Sequence, residues 1–431
     1  MSWLSKGRRG TLVSRSGLIR SCIIDKTHKM MAPKSRVLTA KLLLTREARI
    51  DYPVIDLAAD GTIASIGTDA RGLARETTVL TAGLLDVHIH GSAGIDVMNA
   101  PAREIGKMQR FLVAHGITKY LPTTVTAPID FTLRALERLA EVIERGPQAD
   151  EAEPVGIHIE GPFLSHAKRG MHPAEHLQRP SRELFDRLQE AARGRIRLVT
   201  IAPEADAVGP ERSGGADTAL DLIRHVTHKG VRCSIGHSNA MAAETLAAIE
   251  AGAVSATHTF NAMRPLGHRE PGVLGTVLDD NRLFADLICD GVHVAPPLIR
   301  LWMRAKGADR CILITDALAA AGMPEGEYPA GNASSIVRNG RALVAEDLAR
   351  GKETLAGSLL TLDRAVANLQ RFTGASLEDA MRMASHNPAS MLGMPELTSL
   401  APGTPATLNR VDENGNLIAT YIRGQQVRRE H

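Results

Sequence analysis

Seven side chains whose types suit metal chemistry lie at the ends of short apolar runs. They are His88 and His90 in "DVHIHG", Glu160 in "GIHIEGPFL", His237 in "SIGHS", His258 in "THTF", Asp290 in "ICDG" and Asp316 in "ITDA". Imidazole nitrogens and carboxylate oxygens are the ligands that zinc or ferrous iron takes when three protein groups leave a position open for water. Glu160, His237 and His258 supply such a set. His88 and His90 share one face of their run, because side chains alternate along a strand, and could hold a second ion. Asp316 is then placed to serve as base and proton shuttle. The pattern points to metal-assisted hydrolysis without naming the bond that breaks.

These residues need elements that bring them to one place. Eight apolar runs recur from residue 83, separated by segments of helix length: "GLLDVHIHG", "ITKYLPTT", "PVGIHIEG", "IRLVTIAPE", "VRCSIGHS", "VSATHTF", "LFADLICDG" and "CILITDA". Strands alternating with helices in this number predict a (β/α)₈ TIM-type barrel over 83–395, whose strands all end on one face. One strand-end histidine is commonly structural. Five or more strand ends carrying His, Glu or Asp would need as many independent structural explanations. Val155, Ile157 and Ile159 alternate with Gly156, His158 and Glu160, which puts Glu160 inward; His158, one step deeper, reads as a satisfied core histidine. His115, His225 and His228 fall in helix-like stretches and read as surface or packing residues. The flanks, 36–82 and 399–428, carry β-like pieces such as "GNLIATYIRGQQV" and are expected to form one small β-domain from both chain ends.

Composition narrows the class of function. With 431 residues and 44% hydrophobic content the chain can bury a large core. Its net charge of +3 comes from the first 31 residues, where seven Lys/Arg face one acid, so the body is mildly acidic and a nucleic-acid partner is not expected. That Ser/Arg-rich stretch has the composition of a transit peptide, or reflects a start assigned upstream of Met30-Met31. No apolar run is long enough for a membrane span. Four scattered cysteines suit free thiols in a reducing cytoplasm.

The motifs "DVHIHG", "GIHIEGPFL", "KRGMHP", "IAPE", "IGHSNA", "THTFNAM", "REPG", "DGVHV", "ITDA" and "LAGSLLTLDRAV" occur in one order. In that order the chain resembles the N-acetylglucosamine-6-phosphate deacetylases of the amidohydrolase superfamily. The resemblance covers the whole barrel segment. "HIEGPFL", "HTFNAM" and "DGVHV" together are its most specific part, whereas His-x-His and the strand-end Asp are shared superfamily-wide.

The resemblance implies a role for each matched position. Glu160, His237 and His258 would bind the principal metal, zinc or iron, and His88 with His90 would permit a second ion. Asp316 would be the catalytic acid/base, and His172 would hydrogen-bond the acetamide carbonyl. Asn261 with the Ala262 backbone, Arg269, and Asp290, Gly291, Val292 and His293 would hold the sugar phosphate. Met171 and Leu355, Ala356 and Gly357 would lie against the sugar and its acetyl group. A homodimer is implied, because the family's equivalent of Arg269 reaches across a subunit interface. Two other readings keep some of these features. An amidohydrolase acting on another N-acyl substrate would need the metal set but not Arg269, and a non-catalytic scaffold would need neither.

Overall fold

The computed structural model describes residues 36–205 and 217–427. The stretch 1–31, singled out above for its charge, lies outside them.

Eight parallel strands form the centre. They are β1 (Leu84–Ile89), β2 (Ile117–Thr124), β3 (Ile157–Glu160), β4 (Ile196–Ile201), β5 (Arg232–Ile235), β6 (Ala253–Ala256), β7 (Phe284–Ile288) and β8 (Cys311–Ile314). Each pairs with the next in chain order. The ring is completed by a bridge between Ile89 and Ala317, with Asp316 N donating to His88 O at 2.9 Å. All eight coincide with the expected runs, because apolar strands buried on both faces suit a parallel sheet covered by helices, and closing that sheet leaves no unpaired edge.

Helices pack outside the strands through apolar stripes. In α1 (Ile129–Arg145), for example, Leu136, Leu139 and Val142 are buried, and the helix stops at Gly146 with φ 72°. Two more helices matter below: α2 (Ala242–Ala251) and α3 (Pro296–Lys306).

Segments from both flanks share one sheet. Its strand order is 425–427, 417–422, 408–411, 79–82, 42–44 and 49–51, with 408–411 antiparallel to 79–82. A three-stranded sheet (36–39, 53–57, 63–68) shares a separate core with it, including Leu38, Ile55, Leu80 and Leu408.

A second feature was not expected from the sequence. Between β8 and the helix Leu362–Thr373 the chain forms a four-stranded antiparallel sheet from Gly326–Ala330, Ala333–Arg338, Arg341–Val344 and Leu355–Gly357. It has its own small core of Leu318, Ala330, Ala342 and Ala356, and Met171 packs against it. Its last strand ends beside the C-terminal face of the barrel, where Ser358 N donates to Asp316 O at 2.8 Å.

Candidate active site

The strand ends place the polar residues with a regular offset. Glu160 is the last residue of β3, and His90 follows the last residue of β1. His237, His258, Asp290 and Asp316 each lie two residues beyond the ends of β5, β6, β7 and β8. Three of these have left-handed backbones: His237 (φ 46°), His258 (φ 33°) and Asp316 (φ 51°). For non-glycine residues this costs about 1–3 kcal/mol each, and such strain clusters at functional sites. The turn swings each side chain back over the barrel mouth instead of letting it continue along the strand.

Glu160 lies at the middle of five imidazoles. Its Oε1 lies 3.5 Å from His88 Nε2, 3.3 Å from His237 Nε2 and 3.0 Å from His258 Nε2. Its Oε2 is 3.4 Å from both His90 Nε2 and His172 Nε2. His237 and His258 bring their Nε2 atoms 3.0 Å apart, and His88 and His90 bring theirs within 3.1 Å. Asp316 Oδ1 lies 3.1 Å from His90 and 3.5 Å from His88. All seven side chains are buried.

Backbone partners sort these histidines chemically. His237 Nδ1 faces the carbonyl of Lys168 at 2.9 Å, and His90 Nδ1 faces the carbonyl of Thr123 at 3.0 Å. A carbonyl only accepts, so Nδ1 carries the proton and each Nε2 turns a lone pair to the centre. His172 is the opposite case. Its Nδ1 accepts from the peptide N–H of Thr126 at 3.2 Å, with the Thr126 hydroxyl at 2.9 Å, so the proton sits on Nε2. His237 and His90 are therefore built to ligate and His172 to donate, although Glu160, His172 and His237 are close enough to share an ion.

The donor set fits a cation. Ligand atoms on a tetrahedral ion with bonds of about 2.0–2.1 Å lie roughly 3.3 Å apart, close to the 3.0–3.3 Å separations among Glu160, His237 and His258. The protonation pattern agrees. Burial alone would neutralise Glu160, yet the surrounding imidazoles, His88 foremost, hold it well below the usual carboxylate range. Asp316 is likewise held down to about 2, with burial outweighed by His88 and His90. Burial opposes charge on His90 too, but Asp316 and Glu160 raise it to about 10, so without a cation a proton takes the place on Nε2 that an ion would fill. His172 falls to about 4, chiefly through burial, and stays neutral. Clustered negative charge seeking positive charge is what a divalent ion satisfies.

Other expected residues form a gradient outward. Ala356 and Gly357 are buried, and a Cβ on Gly357 would approach Asp316 O to 3.0 Å, with φ at 152°. Met171, Leu355, Asn261, Ala262, Asp290, Gly291 and His293 are half-buried, whereas Val292 is 50% exposed. Asp290 Oδ1 accepts from the amides of Val292 (2.7 Å) and His293 (2.8 Å), while its Oδ2 meets His293 Nδ1 at 2.7 Å. The strand-end carboxylate thus presents His293 with Nε2 free. Asn261 folds back on His258 O at 3.3 Å, and Ala262, left-handed at φ 51°, accepts at its carbonyl from Ser238 N. Arg269 is exposed, and no ion pair or side-chain hydrogen bond joins it to another described residue.

Several supporting residues escaped sequence reasoning. Asp286 accepts from His258 N, and burial pushes its carboxyl up to about 7. Asp86 accepts from the Thr315 hydroxyl at 2.6 Å and from His88 N at 3.2 Å, tying β1 to β8. Glu204 accepts from the Ser238 hydroxyl at 2.8 Å and from Asn239 N, and so braces the loop after His237. Gly170 is required where the His172 loop crosses His237: its φ is 58°, and a Cβ there would lie 3.2 Å from the His237 ring. His158 is satisfied in the core by Thr200 at 2.8 Å. His115 and His225 pair with Asp363 and Asp186 away from the barrel mouth.

Comparison with known proteins agrees with this geometry. The amidohydrolase family model matches residues 79–427. An N-acetylgalactosamine-6-phosphate deacetylase from Escherichia coli O157:H7 is 36% identical over 91% of this chain and 99% of its own length. An N-acetylglucosamine-6-phosphate deacetylase from Bacillus subtilis is 36% identical over 80% of this chain and 84% of its own. A mutant N-acetyl-D-glucosamine-6-phosphate deacetylase from Mycobacterium smegmatis, solved with N-acetyl-D-glucosamine-6-phosphate, superposes with a TM-score of 0.81. It is 33% identical, and the match covers 91% of this chain and 99% of that one. Barrel, strand-end histidines and carboxylates, and length of match together assign the chain to the amidohydrolase family.

Proposed function

We propose that this protein hydrolyses the acetamide of N-acetylglucosamine 6-phosphate to glucosamine 6-phosphate and acetate. The observation that carries this reading is the division of labour around Glu160: lone pairs from His237 and His90, a donated proton from His172, and an ionised Asp316 on the facing strand. The relatives named above, including one solved with this phosphosugar, support the substrate class.

Glu160, His237 and His258 would hold a divalent ion, zinc or iron by their donor types, which would supply Lewis-acid activation of the water and the acetamide. The side chains do the rest. His172 donates its Nε2 proton toward the carbonyl oxygen and stabilises the charge that grows there. Asp316, ionised, takes a proton from the attacking water and then passes it to the departing amine. Asn261, the Ala262 backbone, Asp290 through His293, and Arg269 hold the sugar phosphate, while Met171 and Leu355–Gly357 close on the acetyl side. His88 and His90 offer a second ion position.

The reading includes a homodimer. Met241 and Leu246 at α2, Leu266 in the Arg269 loop, and Leu298 and Leu301 on α3 are exposed apolar side chains, a pattern suited to an interface. Mass measurement in solution tests it. Cytoplasmic residence is part of the same proposal. Its support is that Cys233, Cys289 and Cys311 are free and buried, and no described helix is long and apolar enough to cross a membrane.

The 4-epimer, N-acetylgalactosamine 6-phosphate, is a second reading, favoured by the near full-length match to the Escherichia coli enzyme. Acetate release measured on both epimers by the metal-loaded protein decides between them. Release from neither, with metal bound, overturns the deacetylase assignment.

A further inference from the structure

The opposite end of the barrel carries a second feature. At the N-terminal ends of β7 and β8 lies a cleft of about 740 Å³. Arg46, Lys306, Arg310, Arg382 and His386 line it, and Asp309 is the single carboxylate among the lining residues. That carboxylate is already engaged by Arg382 at 3.0 Å. Among the described residues neither Arg46 nor Arg310 has a carboxylate partner. Arg310 rests on the ring of Phe284, 4.7 Å from its centroid, which leaves the edge of its guanidinium free. Lys306 is buried, with Nζ donating to the Asp280 carbonyl at 2.7 Å.

The cleft is also firmly built. Arg382–His386 is a single π-helical segment, an uncommon turn found disproportionately at functional sites. It is tied to the barrel floor: Ser385 Oγ donates to Gly83 O at 3.2 Å, and Asn387 Nδ2 donates to the carbonyls of Ala308 (2.7 Å) and Cys311 (2.6 Å). Burial, then Arg46 and Arg382, push the His386 imidazole down to about 4, so it enters as a neutral group. Arg46 comes from a different sheet, in a turn closed by Thr45 Oγ1 and Ala48 N at 2.9 Å. Arg46 itself is exposed. Here a buried lysine, a stacked arginine and a pinned π-turn are preorganised around one volume.

We propose that this cleft is a binding site for a phosphorylated small polyol or sugar, separate from the catalytic centre. Two guanidiniums without acid partners suit phosphate oxygens bidentately, whereas Asn281, Ser390 and neutral His386 suit hydroxyl groups. The proposal does not depend on the identity of the hydrolysed substrate.

Calorimetric titration of the metal-loaded full chain with inorganic phosphate and with glucose 6-phosphate tests it. Wild type should show a binding event that Arg269→Ala leaves in place and Arg46→Ala weakens about tenfold or more. Arg310→Lys, which keeps charge and loses the fork, should weaken it as well. Both basal variants should retain acetate release measured without added phosphate, which shows that they fold. If wild type shows no binding, if Arg269→Ala abolishes all of it, or if Arg46→Ala and Arg310→Lys bind as wild type does, the site does not exist.

Discussion

The peptide N–H of Thr126 lies 3.2 Å from Nδ1 of His172 and fixes which ring nitrogen of that histidine carries the proton. An amide nitrogen cannot accept, so in the proposed reaction His172 enters as a neutral donor. His237, facing the Lys168 carbonyl, meets it as a lone pair. Two histidines with ring centroids 4.5 Å apart are thereby given opposite roles by main-chain groups alone.

His172→Ala should therefore separate chemistry from metal binding. Turnover is expected to fall by about 10²–10³, the usual cost of one oxyanion donor, while elemental analysis finds metal content unchanged. His237→Ala should lose the metal itself. If His172→Ala also loses metal, His172 is a ligand and the tautomer argument is wrong.

Asp316→Asn tests the proton inventory. The amide can neither take nor return the proton, so turnover should drop by about 10²–10⁴ with fold and metal retained. A loss smaller than about tenfold would identify another group as the base.

Metal removal should abolish turnover, and zinc or ferrous iron should restore it. Active protein should carry at least one equivalent. The double variant His88→Ala, His90→Ala tests the second position; unchanged metal content and turnover would remove it from the account.

Arg269→Ala addresses the phosphate. Use of the 6-phosphorylated sugar should weaken by about 2–5 kcal/mol in kcat/KM, with little change on unphosphorylated N-acetylglucosamine. Equal losses on both would make Arg269 a structural residue.

The barrel was legible because each of its strands is a short apolar run ending in a polar residue, and that alternation survives in sequence. Glu160 could be placed by parity alone. The left-handed turns at His237, His258 and Asp316 could not, since none of these residues is a glycine that would advertise positive φ. The four-stranded insert was missed although "RNGR" at 338–341 is a hairpin signal: Asn339 (φ 51°) and Gly340 (φ 69°) make a tight turn between alternating strands. Thr126 and Asp286 were invisible for a different reason. Their importance lies in which distant backbone or ring nitrogen they meet, and only the closed barrel sets that.

The central claim is that this protein deacetylates a 6-phosphorylated amino sugar, and acetate release tests it most directly. Initial rates should be measured on N-acetylglucosamine 6-phosphate and on N-acetylglucosamine with the metal-loaded enzyme, before and after chelation. The account requires metal-dependent acetate release with kcat/KM strongly favouring the phosphorylated sugar. Equal rates on both sugars, or release that survives complete metal removal, would contradict it.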